Sequence, residues 1–154
     1  MVRLSDLEPT DRAHLLAKAC PAFDTAPWVV APPLQEARIA LVTTAGLQLA
    51  GDASFAIKTA QYRVIPQDTP SADIRMSHAS TNFDRTGFQE DINVVFPLER
   101  LHELALEGTI GSVAAYHYSF MGAFLEPSAY QASATEVVGL LHDDHVNVAF
   151  LVPV

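Results

Sequence analysis

The residues best suited to chemistry are concentrated in one polar segment, SHASTNFDRTGFQED, which spans positions 77–91. It has no helical or strand periodicity, and a loop of this length inside a compact domain is more often functional than a tight connector. The unperturbed pKa of a histidine side chain lies near neutrality, so His78 could serve as a general base, with Asp84 orienting it if the loop folds back. We predict His78 and Asp84 as catalytic residues. The alternative is a solvated loop in which Asp84 and Arg85 pair or cap helices.

A second group of candidate residues follows a short apolar run. Residues 38–42 read RIALV, which is typical of a buried parallel strand, and TTAGL follows directly. Hydroxyls and backbone amides in such a glycine-containing turn can bind an anion. The turn matches neither GxGxxG nor a Walker loop, so a carboxylate or another small anion is favoured over a nucleotide. The predicted ligand-binding residues of these two segments are Thr43, Thr44, Gly46, Ser77, Ser80, Asn82 and Arg85. His117, which lies outside both segments, is predicted to join them.

His117 is included because we expect it at a strand-to-loop junction, where it could join His78 across the top of the sheet. A histidine among aromatic residues is also often simply packed in a core, so that alternative stays open. Two histidines and a carboxylate can form a metal site, but their spacing here matches no specific metal motif. We therefore predict no metal and no other cofactor.

The run HDDH at residues 142–145 also resembles a metal-binding sequence. It falls between a predicted helix and a predicted strand, at the amino-terminal edge of the sheet and away from the expected ligand edge. We interpret it as a solvated turn without a functional role.

The elements that must position these residues follow from hydrophobic patterning and from proline and glycine. Predicted helices cover residues 6–19, 96–107 and 132–141, and predicted strands cover residues 38–42, 62–65, 73–76, 111–118 and 146–152. This alternation predicts an α/β fold, a three-layer open and mostly parallel sheet flanked by helices, of the Rossmann-like or flavodoxin-like kind. Ligands of such folds bind beyond the carboxyl ends of the strands.

The length of 154 residues predicts a single α/β domain over the whole chain. Residues 1–35 comprise the first helix and a proline-rich connector, which we expect to pack on that domain. Hydrophobic residues make up 49% of the chain and charged residues 18%, which excludes an extensively disordered protein. The net charge of −9 argues against nucleic acid or an anionic membrane surface as the partner.

The single cysteine, Cys20, excludes an internal disulfide and a CxxC centre. No apolar run approaches the roughly 20 residues of a membrane-spanning helix, and the first residues lack a signal-peptide pattern. We therefore expect a cytoplasmic protein whose partner is a small molecule. The high apolar fraction also suggests a homo-oligomer, in which a second subunit covers part of the surface.

The run MSHASTNFDRTGFQEDINVVFPLERLHELALEGTIGSVAAYHYSFMGA, with TTAGL upstream, resembles the selenoprotein B subunits of the glycine, sarcosine, betaine and D-proline reductases. The likeness runs from about Arg38 to Val154. It implies reductive attack on a small amine-bearing substrate, in which a selenocysteine or cysteine cleaves a carbon–nitrogen bond and a thiol system resets the enzyme. The chain departs from the family at this selenocysteine/cysteine motif, because nothing matches it and Cys20 lies near the amino terminus.

The resemblance thus implies an oxidoreductase-related protein that binds a small amino-acid-like or amine compound but lacks the redox motif of the family. Two alternatives remain open at this point. One is a non-catalytic ligand-binding or regulatory module, and the other is a non-redox acid–base enzyme that uses His78.

Overall fold

The computed structural model describes residues 3–17, 26, 29–80 and 85–154. The chain divides into two compact units, residues 1–30 and 31–154. In the first unit, α1 covers Pro9–Leu16 and has no buried residue among those described. It begins later than predicted, because Pro9 occupies the first turn, where its missing N–H costs nothing. That residues 1–35 pack on the rest of the chain stays a prediction.

The second unit contains seven strands and three further α-helices among the residues that the structure describes. The strands are β1 (Arg38–Thr43), β2 (Leu47–Leu49), β3 (Tyr62–Pro66), β4 (Ile74–Met76), β5 (Ser112–Val113), β6 (Tyr116–Phe120) and β7 (Val148–Val152). The helices are α2 (Thr86–Glu90), α3 (Leu98–Leu106) and α4 (Gln131–Asp143).

Strand β1 is the centre of a five-stranded sheet. It pairs in parallel with β5 and β6 on one side and with β7 on the other, since β7 runs along the same β1 residues that β5 and β6 contact. Strand β3 pairs antiparallel with β6. The α/β class is therefore confirmed and the sheet is mixed. The more specific Rossmann-like or flavodoxin-like assignment stays a prediction.

Two predicted strands were wrong in detail. The run at 73–76 becomes β4, which lies outside the central sheet and pairs antiparallel with β2 in a two-stranded sheet. The run at 111–118 becomes two strands, β5 and β6, separated by Ala114–Ala115. Local patterning indicates an extended chain but does not specify its partner or its interruptions.

Both faces of the central sheet are apolar, which explains why β1 shows no alternation in sequence. Ile39 and Leu41 belong to the core that contains Leu98 and Leu101 of α3. Val42 points the other way and packs with the core that contains Val137 of α4. Alternating side chains of one strand therefore bury against helices on opposite faces.

The gap between β5 and β6, Ala114–Ala115, interrupts the backbone ladder beside β1. There the N–H of Leu41 donates to Nδ1 of His117 at 3.0 Å, so an imidazole occupies the place of a backbone carbonyl. His117 is fully buried, and its ring packs edge-on against Phe96 with 5.7 Å between the ring centroids. Burial is the main reason that the pKa of His117 falls to about 4, and the ring is neutral at pH 7.

Asp144 provides a hydrogen-bond acceptor for the backbone of the same gap. Its carboxylate accepts the N–H of Ala115 at 2.6 Å and pairs with the guanidinium of Arg38, which also donates to the carbonyl of Val113 at 2.9 Å. Burial raises the pKa of Asp144, but these donors outweigh it and hold that pKa below its usual value. The HDDH run lies at the amino end of β1 as expected. Its interpretation as a solvated turn is wrong for Asp144, which is a structural residue.

Within the described ranges, no helix is both long and apolar enough to cross a lipid bilayer.

Candidate functional site

The segments that carry most of the predicted site residues meet at the carboxyl end of β1. Gly46 has φ = 65°, and a Cβ there would lie 3.1 Å from both the Cα and the N of His78. The N–H of Ser77 donates to the carbonyl of Gly46 at 2.9 Å. A glycine at this position therefore lets the backbone of the TTAGL turn touch the backbone of the SHAS segment (Ser77–Ser80).

Replacing Gly46 with alanine is expected to destabilise the protein by about 1–2 kcal/mol, because alanine must adopt a left-handed conformation and contact His78. The displaced SHAS segment should also change the NMR resonances of His78. Urea denaturation measures the first effect. Gly51→Ala is the matched control, because nothing lies within 4 Å of a Cβ there. Equal stability of the two variants would show that the close contact is unimportant.

The hydroxyls of the TTAGL turn form bonds within the protein. Thr43 Oγ1 accepts the N–H of Ala45 at 3.2 Å, and Thr44 Oγ1 accepts the N–H of Val154 at 2.8 Å. The N–H of Gly46 donates to the carbonyl of Phe120 at 2.9 Å. These groups stabilise the turn, and their predicted role in binding an anion stays a prediction.

Ser77 connects the SHAS segment to β2 and to the loop that follows β2. Its hydroxyl donates to Oε1 of Gln48 at 2.7 Å and accepts the backbone N–H of Phe55 at 3.2 Å. Gln48 is itself buried. The first residue of the SHAS segment is thus held by two neighbours that are remote in sequence.

His78 is buried, with 5% of its surface exposed. Burial lowers its pKa, and the charge of Arg85 lowers it further, so the ring is neutral at pH 7. Nδ1 accepts the backbone N–H of Ser80 at 3.3 Å, which places the ring proton on Nε2. A general base needs an available ring nitrogen, so proton abstraction through Nδ1 would first require loss of the bond to Ser80.

Arg85 binds two backbone carbonyls of the SHAS segment. Its guanidinium donates to the carbonyl of His78 and, at 3.1 Å, to the carbonyl of Ser80. Arg85 directly precedes α2 and is exposed. It therefore adds a positive charge at this end of the sheet.

Arg63 is a candidate residue that the sequence did not indicate. Its guanidinium lies 4.5 Å from the ring centroid of Phe55, the residue whose N–H donates to Ser77. Arg63 reaches this end of the sheet because the antiparallel register pairs it with Ser119. No local signal encodes that register, since it depends on the partner strand.

The structure does not bring His117 to this site. His117 is the second residue of β6, not a strand-to-loop residue, and its side chain contacts Leu41 and Phe96 in the core. Four residues later, Met121 Sδ accepts the N–H of Ala79 at 3.3 Å. At ~3.3 Å per residue, His117 lies about 13 Å along the strand from that contact. The alternative of a packed core histidine matches this position.

Two predicted site residues, Asn82 and Asp84, lie outside the described residues, and their roles stay predictions. Among the residues that the structure does describe, no group of three histidine, cysteine, aspartate or glutamate side chains is arranged to hold a metal ion.

A cavity of about 190 Å³ lies at the opposite end of the sheet, where the sequence predicted no site. Its lining includes the loop Gln67–Ser71, Phe96, Glu99 and His102. Burial in this loop is modest, and Glu99 is already bonded to the hydroxyl of Ser71 at 2.5 Å. Hydrogen bonds of this kind lower the pKa of Glu99, so the carboxylate is ionised and has partners.

Comparison with known proteins gives a consistent family assignment. The family model described as Glycine/sarcosine/betaine reductase selenoprotein B matches residues 18–153. A D-proline reductase subunit gamma of Acetoanaerobium sticklandii is 30% identical over 124 residues, which are 79% of this chain and 50% of the relative. A glycine reductase complex component B subunit gamma of Symbiobacterium thermophilum is 30% identical over 139 residues, which are 85% of this chain and 32% of the relative.

This chain therefore spans half or less of the length of these curated relatives. No solved structure matches it significantly.

Proposed function

Because the chain belongs to the Glycine/sarcosine/betaine reductase selenoprotein B family, we propose that it is a reductase-related protein that binds a small amino-acid-like ligand. The ligand site is the SHAS segment together with Arg85 and Arg63. The observation that supports it most is the pair of guanidinium groups, one bonded to this segment and one stacked on its neighbour Phe55. In a chain of net charge −9, such a local positive charge favours a carboxylate.

The chemistry of the relatives agrees with a carboxylate ligand. Their names give D-proline and glycine as substrates, and the family description adds sarcosine and betaine. All four compounds combine a carboxylate with an amine or ammonium group. A guanidinium is well suited to the carboxylate because it can donate two parallel hydrogen bonds.

We assign roles in this site as follows. Arg85 binds the ligand carboxylate, and Ser77, Ser80 and Asn82 surround the ligand. Thr43, Thr44 and Gly46 lie on the TTAGL side of the ligand, and Gly46 also positions the SHAS segment through its carbonyl bond to the N–H of Ser77. His78 and Asp84 carry any acid–base step, for which Nδ1 of His78 must exchange its bond to Ser80.

Reducing equivalents come from another component in this proposal. Cys20 is the single cysteine in the sequence, and it lies outside the described residues. Both curated relatives are named as subunits, one of them of a complex, so we propose that this chain also has protein partners. The single cysteine equally favours a second candidate function, a non-catalytic module that binds the same ligand without reducing it.

Binding of a carboxylate amine should raise the thermal stability of the protein. At a ligand concentration of 100 Kd the gain is about 2.7 kcal/mol, or roughly 5 °C or more for a domain of this size. The probes are glycine, sarcosine, betaine and D-proline in differential scanning fluorimetry. Arg85→Ala should weaken binding by about 10- to 100-fold, because it removes a charged hydrogen-bond donor.

The matched control is Arg100→Ala, an exposed arginine of α3 whose ion-pair partners are Glu103 and Glu99. It should leave ligand affinity unchanged. No stabilisation by any of the four probes, or equal affinity of both arginine variants, would contradict the proposed site. An assay of D-proline and glycine reduction with dithiothreitol, on wild-type protein and Cys20→Ser, separates the two candidate functions. Turnover that survives Cys20→Ser indicates a reductase whose reducing equivalents come from outside the chain, turnover that requires Cys20 contradicts that external source, and binding without turnover indicates the non-catalytic module.

The proposal has three further parts: a Rossmann-like or flavodoxin-like arrangement of the sheet and a cytoplasmic location, which rest on sequence alone, and a homo-oligomeric state.

A further inference from the structure

Strand β7 has a free edge. It pairs with β1 along Val148–Val152, and within the described part of the chain no strand pairs with its other side. Backbone N–H and C=O groups on an open strand edge can pair with another chain. Strand β7 is thus a position where the central sheet can be extended.

Strand β7 carries an exposed apolar side chain on each face, although Val148 and Val152 at its ends pack against the core that contains α3. Phe150 pairs with Leu41 in register and is 46% exposed, and Leu151 pairs with Val42 and is 65% exposed. Helix α4 shares a core cluster with residues of β6 and β3 and with Val42, and Leu151 is not a member of that cluster. A sheet buries its apolar face against another element, but within the described part of the chain Phe150 and Leu151 remain largely exposed.

This edge also lacks the features that usually prevent pairing. Exposed edges normally carry a charge, especially lysine, or a proline or bulge within the strand. Residues 146–154 contain no charged side chain, and Pro153 follows the strand rather than interrupting it. The edge therefore has backbone groups that can pair with another strand, and it has no charged side chain that would oppose this pairing.

We propose that β7 pairs antiparallel with β7 of a second copy of this chain across a two-fold axis, so that the two central sheets join into one. Charge favours this occupant. Two copies with a net charge of −9 each repel one another at most surfaces, whereas the uncharged stretch 146–154 can face itself without repulsion. A two-fold interface also needs a patch that complements itself, and an antiparallel strand pair meets that requirement.

The size of the contact sets the expected strength of the dimer. Stable interfaces bury about 800 Å² per partner, more than the pairing of two five-residue strands supplies. The exposed Phe150 and Leu151 must add to it, and we expect a Kd in the micromolar range. This inference rests on the homo-oligomer part of the proposed function and names its surface. It does not involve the ligand site, because no residue of that site belongs to β7.

Analytical ultracentrifugation of the full chain tests the proposal. The wild type should form a species of twice the 16.7 kDa chain mass as concentration rises through the micromolar range. Leu151→Lys and Phe150→Lys should each weaken dimerisation at least tenfold. The control is Ile57→Lys, which introduces the same charge at a position that is 69% exposed and lies outside β7. It should dimerise like the wild type.

A monomeric wild type at 100 μM would overturn the proposal, and so would a dimer that neither β7 variant weakens or that Ile57→Lys weakens equally. Hydrogen exchange of the wild type gives a readout that no variant's folding can affect. Amides of residues 148–152 should exchange more slowly at high protein concentration than at low concentration, and unchanged rates would contradict pairing at β7. The ligand site is tested by Arg85→Ala and the dimer by the β7 variants, so the dimer proposal can fail while the proposed ligand site holds, and the reverse.

Discussion

Asp144→Ala is expected to destabilise the protein by about 3 kcal/mol, a lowering of the melting temperature by roughly 6–12 °C. The substitution leaves the guanidinium of Arg38 without its carboxylate and the N–H of Ala115 without its acceptor. Both groups are partly buried, so water replaces the lost partner incompletely. Urea denaturation of the variant and the wild type at pH 7 measures the difference.

Asp143 supplies the matched control, since it precedes Asp144 in sequence but is exposed. Asp143→Ala should change stability by no more than about 0.5 kcal/mol. Asp144→Asn should give an intermediate loss, because its amide oxygen still accepts the N–H of Ala115 but its charge is gone. Equal effects of Asp143→Ala and Asp144→Ala would show that the contacts of Asp144 contribute nothing to the fold.

His117→Ala is expected to cost about 4 kcal/mol at pH 7. It opens a cavity beside Phe96 in the core and removes the acceptor of the Leu41 N–H in the central strand. His117→Asn should retain part of the stability, because an amide oxygen can reach a position close to that of Nδ1. Two variants of equal stability would contradict a role for this hydrogen bond.

The same histidine predicts how stability depends on pH. The pKa of His117 is about 4 in the folded protein and near 6.5 in the unfolded chain, so the unfolded state binds the proton more readily. Stability is therefore fully present above pH 6.5, falls as the pH drops from 6.5 to about 4, and stops changing from this cause below that. The loss is on the order of 3 kcal/mol.

His117→Asn isolates this contribution, because asparagine does not titrate. The free energy of unfolding of this variant should fall less steeply than that of the wild type between pH 6.5 and 4. The remaining slope includes His78, whose pKa is also lowered. The pKa of Asp144 is lowered in the folded protein, so the stability that this carboxylate contributes is lost only at more acidic pH. Parallel pH profiles of variant and wild type would contradict the depressed pKa of His117.

The elements that local patterning predicts best are those with an unambiguous hydrophobic period or a clear stop. Helix α3 lies within the predicted range 96–107, with Leu98 and Leu101 buried and Gly108 at φ = 71° two residues after its end. Strand β1 was predicted to within one residue. In both, the signal depends on neighbours three or four positions away at most, so the sequence alone carries it.

The roles of the predicted site residues stay predictions, but the position of two of their segments can be compared with the structure. The sequence placed the TTAGL turn and the SHAS segment near the same sheet end, and the contact between Gly46 and His78 shows them together. The residues brought in by pairing were missed. Arg63 arrives through the register of β3 with β6, and Gln48 lies in the short strand β2, which pairs with β4.

The sequence by itself determined the family, the α/β class and the concentration of polar residues around His78, because these depend on residue types and short spacings. The tertiary structure alone decided which polar side chains form hydrogen bonds within the protein. The hydroxyls of Thr43 and Thr44 stabilise a turn, and His117 replaces a backbone acceptor at the gap in β5 and β6. A hydrogen bond between residues 76 positions apart, such as that of Leu41 and His117, exists only once the strands have paired.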